Sequence, residues 1–360
     1  MLKFLSKIDF SLLLPALLLS SIGLLMIFSI SFESDPSYFV RQLFYVAFSV
    51  VLYIVISKIE FKNLSHVSYI LYFGLLVLLL ATFFIGIEIR GSVRWLDLGL
   101  ATLQGSEIAK PVLILGLAHL LAVNRDSPLK GFLLSGVLTA VPVIIIASQP
   151  DLSTAVILFL TWFFMVFVSG MSFIYISVFT LVALASVPIF WNLVLKDYQK
   201  TRILTFFNPE FDPLGASYNI VQALIALGSG QLFGRGLGRG TQSHLNFLPE
   251  ERTDFIFAAT GEELGFLGLS LILIIFSFLI FTLLKKAKNA TNTESSIFLY
   301  GTSFLLAIQF FINAGMNMGI FPVSGVTLPF ISFGGSSIVS LFALLAFAAS
   351  ASKKGEKLKD

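Results

Sequence analysis

His244–Gly268 reads HLNFLPEERTDFIFAATGEELGFLG and leads directly into a long apolar run. The stretch gathers five carboxylates, Glu250, Glu251, Asp254, Glu262 and Glu263, around one cation, Arg252. At the edge of a membrane that much charge is costly and marks a stretch with a use. Whether there is a membrane to border is decided by the rest of the chain.

Of the 360 residues, 57% are hydrophobic and 12% charged, and the mean hydropathy is +0.94. One soluble core cannot hide that much apolar side chain from water. The apolar runs have helical length and show no alternation of the barrel kind, so the chain crosses a bilayer as helices, which satisfy their own backbone groups. Ten runs lie near residues 9–30, 39–57, 67–87, 107–123, 131–148, 152–169, 172–192, 256–284, 297–314 and 333–351. The first follows Lys3 and Lys7 and lacks a small-residue cleavage site, so it is read as a retained, uncleaved anchor.

Orientation follows from the cations between the runs. With the N-terminus inside, the inner connections hold Lys58 and Lys62, then Arg125 and Lys130, then Lys285, Lys286 and Lys288, and finally Lys353, Lys354, Lys357 and Lys359. The short outer connections hold only Arg41, Arg90 and Arg94. That bias places both termini in the cytoplasm. The predicted fold is an all-α polytopic integral membrane protein of ten transmembrane helices, a single transmembrane domain over 1–360, with a large outer loop at 193–255 between spans seven and eight.

Two further outer segments break the pattern of short loops. Residues 88–106, EIRGSVRWLDLGLATLQGS, are polar and punctuated by glycine, and Gly315–Ser332 carries Pro322 and Pro329 at an expected re-entrant or broken-helix turn. Long ordered loops are usually functional, so any chemistry is expected to face outward. The eighth run is longer than one crossing needs, since 256–284 would reach roughly 43 Å as a helix against a hydrocarbon core of about 30 Å. It must begin above the membrane or tilt.

Several chemistries are excluded early. Without cysteine there is no disulfide framework, thiolate metal site or thiol nucleophile, and His66, His119 and His244 show no metal-ligand spacing. A net charge of +3 is too small and dispersed to indicate nucleic acid. Gly234–Gly240 (GRGLGRG) has a G-x-G pattern with no preceding strand and no βαβ unit, which rejects a dinucleotide fingerprint.

The candidate site residues each carry two readings. Glu107 and Lys110, three apart, share one helix face. Inside a bilayer they form either a site or an ion pair locking two helices. Trp95, beside Arg94, suits an interfacial belt or a platform for a sugar ring. Arg202, alone among apolar residues, either snorkels or anchors an anionic lipid headgroup. Asp254 falls at or close to a helix N-terminus, where the dipole favours the carboxylate. It either complements that dipole or acts as a catalytic base. Glu262 and Glu263 lie roughly 12 Å deeper along the axis and are expected to pair with a cation such as Lys110 or Arg41.

GSVRWLDLG, QGSEIAK, QPDLSTA, HLNFLPEERTDFIFAATGEELGF and FPVSGVTLPFISFGGSS occur in this order, and together they resemble the SEDS family (shape, elongation, division and sporulation), closer to its rod-shape branch than to its division branch. The resemblance covers nearly the whole chain. Gly105 stands where the family usually has proline, and Ser153 where it usually has glycine. The resemblance implies a SEDS-type fold and a peptidoglycan glycosyltransferase that polymerises lipid II on the outer face of the bacterial cytoplasmic membrane. It implies Asp254 as the catalytic residue and Arg94, Glu107 and Lys110 as functional, with a class B penicillin-binding protein, a transpeptidase, and other elongation-complex proteins as partners.

The chemistry is compatible with the residues. The leaving lipid pyrophosphate needs positive charge, for which Arg94, Lys110 and Arg202 are candidates. The attacking sugar hydroxyl needs a carboxylate to take its proton, which fits Asp254. Passing from an α-linked donor to a β-linkage implies one inverting displacement. A divalent cation bridging pyrophosphate and carboxylate is compatible with this chemistry but not demanded by it. The competing readings are a flippase for the lipid-linked precursor and a non-enzymatic scaffold of the elongation complex.

Overall fold

The computed structural model describes residues 8–353 apart from 33, 90, 91, 98, 100, 101, 194, 209–215 and 246. Lys3, Lys7, Arg90, Lys354, Lys357 and Lys359, used above for orientation, lie outside the described residues. The chain runs α1 (Phe10–Ser31), α2 (Ser37–Ile56), α3 (Phe61–His66) and α4 (Ser68–Ile85), then strands β1 (Ile87–Ile89), β2 (Ser92–Asp97) and β3 (Thr102–Gln104). There follow α5 (Gly105–Val123), α6 (Pro128–Ser148), α7 (Leu152–Val168), α8 (Phe173–Leu193), α9 (Asp197–Phe207), α10 (Ala216–Gly230) and α11 (Thr241–His244). The last three are α12 (Ile256–Lys288), α13 (Thr293–Asn317) and α14 (Gly335–Ala351).

Among the described residues, eight helices (α1, α2, α4, α5, α6, α8, α12 and α13) are long and apolar enough to cross a membrane, and α7 and α14 are shorter apolar helices. All ten fall on the apolar runs of the sequence. The most enclosed are α5 and α14, the latter buried almost throughout from Ser340 to Ala351 against α2 and α5. By contrast α8 is almost wholly exposed. It touches the bundle through Ile176 and through Phe179, whose ring lies 5.3 Å from Trp162 and 5.7 Å from Phe132.

Four local features differ from the sequence reading. The fold is not all-α: within the polar, glycine-punctuated segment β1, β2 and β3 form a small antiparallel sheet in that order, with Trp95 opposite Gln104. The alternating SVRWLD of β2 supplies the period-two pattern a strand needs, so the fold is helical with a small sheet at one end. The stretch expected as the large loop carries helices α9, α10 and α11, and α10 packs on α12.

The third difference is the overlong eighth run. Helix α12 bends at Gly265 (φ 67°, ψ −167°), a conformation open essentially to glycine alone. There Phe266 N–H donates to the Gln231 carbonyl at 2.8 Å and Leu267 N–H to that of Leu232 at 3.1 Å. The bend divides the long run at Gly265 into a short first segment and a longer second one. Finally, Glu262 and Glu263 pair with neither Lys110 nor Arg41. Glu262 accepts from Gln242 N–H (2.9 Å), Ser243 N–H (3.1 Å) and Ser243 Oγ (2.9 Å), which ties down the start of α11. Glu263 bonds Ser29 Oγ at 2.6 Å and His244 Nε2 at 2.8 Å. A buried carboxylate needs several donors, and the backbone beside it supplies them more cheaply than a distant cation.

Candidate active site

Where α5 begins and α13 ends, the bundle opens into a cavity of about 810 Å³. Arg94, Trp95, Glu107, Lys110 and Asp254, separated by up to 160 residues in the chain, all line it. Arg202 does not line it. It sits on α9, its guanidinium carbon 5.9 Å from the Tyr198 ring centroid.

The floor comes from the first turns of α5. Lys110 Nζ donates to both carboxylate oxygens of Glu107, at 2.7 and 2.8 Å, and to Gln309 Oε1 of α13 at 3.3 Å. Lys110 is 2% exposed and Glu107 6%. Burial of this order is tolerable only for a matched pair. The pair bridges α5 to α13 through Gln309, and both of its members border the cavity.

Arg94 projects from β2 over Trp95, its guanidinium carbon 4.5 Å from the ring centroid, with one terminal nitrogen 3.7 Å from Asp151 Oδ1. Its Nε–H is buried without a hydrogen-bond partner. Asp151 caps α7 through the Thr154 N–H (3.3 Å) and also accepts from Ser106 Oγ (2.8 Å) and Gln104 Nε2 (3.3 Å). One buried acid thus joins β3, α5 and α7 beneath Arg94. Sequence reasoning missed it, although an acid between Pro150 and an apolar helix start is the same signal that singled out Asp254.

The opposite wall is built from α2 and the approach to α12. Tyr38 and Arg41 line it together with Glu250, Glu251 and Arg252. The Arg252 guanidinium carbon lies 4.7 Å from the Tyr38 ring centroid, one terminal nitrogen donates to Ser34 Oγ at 2.7 Å, and the Nε–H is again buried without a partner. The sequence reading assigns Arg41 to a deeper glutamate. Its place at the cavity instead follows from its position in the first turn and a half of α2, at the same end of the bundle.

Asp254 stands one residue ahead of Phe255, the cap of α12. It is half-buried, and a Cβ placed on Gly325 would lie 3.6 Å from its Oδ2. Gly325, at φ +68°, thus lets the chain between α13 and α14 pass close to the carboxylate. The cavity combines a carboxylate at a helix start, guanidinium groups on both walls and aromatic faces beside them. Such a set can hold an anionic diphosphate and a sugar ring and accept a proton. Among the described residues no three His, Cys, Asp or Glu side chains converge as a metal site.

The chain is similar over most of its length to several known proteins. Peptidoglycan glycosyltransferase MrdB of Escherichia coli (strain K12) is 39% identical over 339 residues, 93% of this chain and 91% of that protein. Peptidoglycan glycosyltransferase RodA of Treponema pallidum is 31% identical over 409 residues, covering 92% and 94%. A solved chain described as part of a peptidoglycan synthase complex, with structural coordination of polymerization and crosslinking, superposes with a TM-score of 0.80 at 27% identity, over 96% of this chain and 97% of that one. The rod shape determining protein RodA of Thermus thermophilus superposes with a TM-score of 0.72 at 27% identity, over 96% of each chain. Matched over residues 10–357 and related at this level, the chain belongs to the FtsW, RodA and SpoVE family of cell cycle proteins, the family its motifs resemble.

Proposed function

We infer that this chain is a peptidoglycan glycosyltransferase, an integral protein of the bacterial cytoplasmic membrane that polymerises lipid II into glycan strands for cell elongation and rod shape. The observation that carries this reading is the cavity itself, in which Asp254 and the cations of β2 and α5 meet. We take the ten apolar helices as ten spans of a single transmembrane domain, with both termini cytoplasmic. The cavity, and the segment 193–255, then face outward, toward the leaflet in which the substrate is used.

In the reaction, Asp254 is the base. Its carboxylate takes the proton of the acceptor sugar hydroxyl as that oxygen attacks the anomeric carbon of the donor. The bond from that carbon to the pyrophosphate breaks, and the electron pair leaves on undecaprenyl pyrophosphate. One displacement of this kind inverts the anomeric configuration. The charge that grows on the leaving group is met by the guanidinium of Arg94, a side chain that lines the cavity and is a quarter exposed. A fixed donor aimed at developing charge is worth far more in a sheltered cavity than in water.

Lys110 directs its ammonium at Glu107 and Gln309, so it acts from the floor, adding a positive end to the field and fixing α5 against α13. Trp95 offers its outer face to a sugar ring. Arg202, outside the cavity, serves the lipid headgroup at the membrane surface. No step is assigned to a divalent ion. The likeness to a chain of a peptidoglycan synthase complex supports a class B penicillin-binding protein as partner, with other elongation-complex proteins around it. The test is polymerisation of lipid II by the purified chain with and without that transpeptidase; no glycan under either condition would overturn the assignment.

A further inference from the structure

A carboxylate can act as base only if it is held in one place, and the backbone that carries Asp254 is held at each of three successive carbonyl oxygens. The Arg252 carbonyl accepts from Phe333 N–H at 2.8 Å, and that of Thr253 from Ser332 Oγ at 2.6 Å. The Asp254 carbonyl accepts two carboxamide hydrogens, from Asn313 Nδ2 at 2.9 Å and Asn317 Nδ2 at 3.0 Å. Both asparagines lie on the last turn and a half of α13 and are fully buried.

The two do different things. Asn317 also accepts from Ala258 N–H through Oδ1, at 3.1 Å. In an unbroken helix that N–H would bond the Asp254 carbonyl directly. The carboxamide is therefore inserted between them like an extra peptide group, which turns residue 254 out of the helix while keeping donor and acceptor satisfied. Asn313 Nδ2 reaches the Val326 carbonyl as well, at 2.7 Å. Val326 follows Gly325, the residue that faces the Asp254 carboxylate. One amide group thus sets the spacing between the carboxylate and the wall opposite it.

We propose that Asn313 and Asn317 are positioning residues of the transferase reaction. Through the Asp254 carbonyl they fix where its carboxylate projects into the cavity, a role that rests on Asp254 being the base. They touch neither substrate nor reacting atoms. A purely structural cap would lower stability and leave the turnover of folded protein unchanged, whereas displacing a reacting group by about 1 Å costs on the order of 100-fold in rate.

The experiment measures kcat and KM for lipid II, with the transpeptidase partner present, alongside the unfolding temperature in the same detergent. Asn313→Leu and Asn317→Leu remove the donors at similar volume. Asn313→Asp keeps the shape, and Asn317→Ser keeps a hydroxyl donor, in case the leucines do not fold. The expected result is a kcat lowered about 10- to 100-fold, with KM within about two-fold of wild type. Asn317→Ser should retain more of the rate than Asn317→Leu or, if that fails to fold, than Asn313→Asp. Wild-type kcat in folded variants overturns the proposal, as does a change confined to KM. Asp254→Asn, run in parallel, separates the two claims: if it polymerises at full rate the base assignment falls, whereas an inactive Asp254→Asn beside fully active asparagine variants removes only the positioning role.

Discussion

The ammonium of Lys110 lies 2.7 Å from one carboxylate oxygen of Glu107 and 2.8 Å from the other, with both side chains buried. Breaking such a pair from one side leaves an uncompensated charge and costs about 3–5 kcal/mol, while replacing both partners costs much less. Glu107→Gln and Lys110→Met are each expected to lower the unfolding temperature sharply. The double variant should be more stable than the sum of the two losses allows. Strict additivity in a double-mutant cycle would show that the pair is not coupled.

The two arginines named from sequence should behave differently. Arg94 lines the cavity and stacks on Trp95, whereas Arg202 lies outside it. Arg94→Ala is expected to lower kcat by about 100-fold, the scale of one lost electrostatic donor. Arg94→Lys restores the charge without the fork or the stacking and should recover only part. Arg202→Ala should change KM and leave kcat near wild type. Steady-state polymerisation kinetics decide between them, and equal kcat losses at the two sites would contradict the placement.

At Gly265 any side chain would meet the backbone of Leu232 and Gly234, and the backbone conformation itself disfavours other residues by about 1–3 kcal/mol. Gly265→Ala is therefore expected to yield little folded protein. Gly74, in α4 with nothing near its would-be Cβ, is the control: Gly74→Ala should be neutral or slightly stabilising. Unfolding temperatures measured in one detergent compare them.

Asp9 accepts hydrogen bonds from Lys286 Nζ at 2.6 Å and Ser352 Oγ at 3.1 Å, joining the starts and ends of three helices. Burial pushes its carboxyl up, but the bonds from Lys286 and Ser11 together outweigh this and hold it below its ordinary value. A depressed carboxyl stabilises the fold above its unfolded-state pKa, and the contribution is lost as pH falls through the folded value. The gap in unfolding temperature between wild type and Asp9→Asn should be widest near neutral pH and close in acid. A gap that stays constant into acid would show that Asp9 contributes no such linkage.

The apolar runs were legible because a bilayer demands a fixed length of helix, and ten helices fall where the runs do. The position of Asp254 was legible for a related reason: it was read at or close to a helix start, and it stands one residue ahead of the cap of α12, in the cavity wall. What could not be read depends on approaches between distant segments. At the bend Gly265 packs closely on the backbone of Leu232 and Gly234, an approach that nothing in the local pattern encodes. Glu262 and Glu263 looked like partners for distant cations because sequence spacing gives depth along a helix but not neighbours. The neighbours are the start of α11 for Glu262, and Ser29 and His244 for Glu263. Arg202 was recognisable as a cation among apolar residues, yet its helix places it away from the cavity. Asp151 carries the same helix-start signal as Asp254 but stands without the cluster of charge that marks the later stretch.

The measurement that tests the central claim most directly is the initial rate of lipid II polymerisation by Asp254→Asn, assayed with the transpeptidase partner against wild type. The substitution keeps the shape of the side chain and removes its basicity. If Asp254 takes the proton of the acceptor hydroxyl, the rate falls by at least about 100-fold, the lower end of what a positioned base contributes, while the protein remains folded. Polymerisation at the wild-type rate would contradict the account.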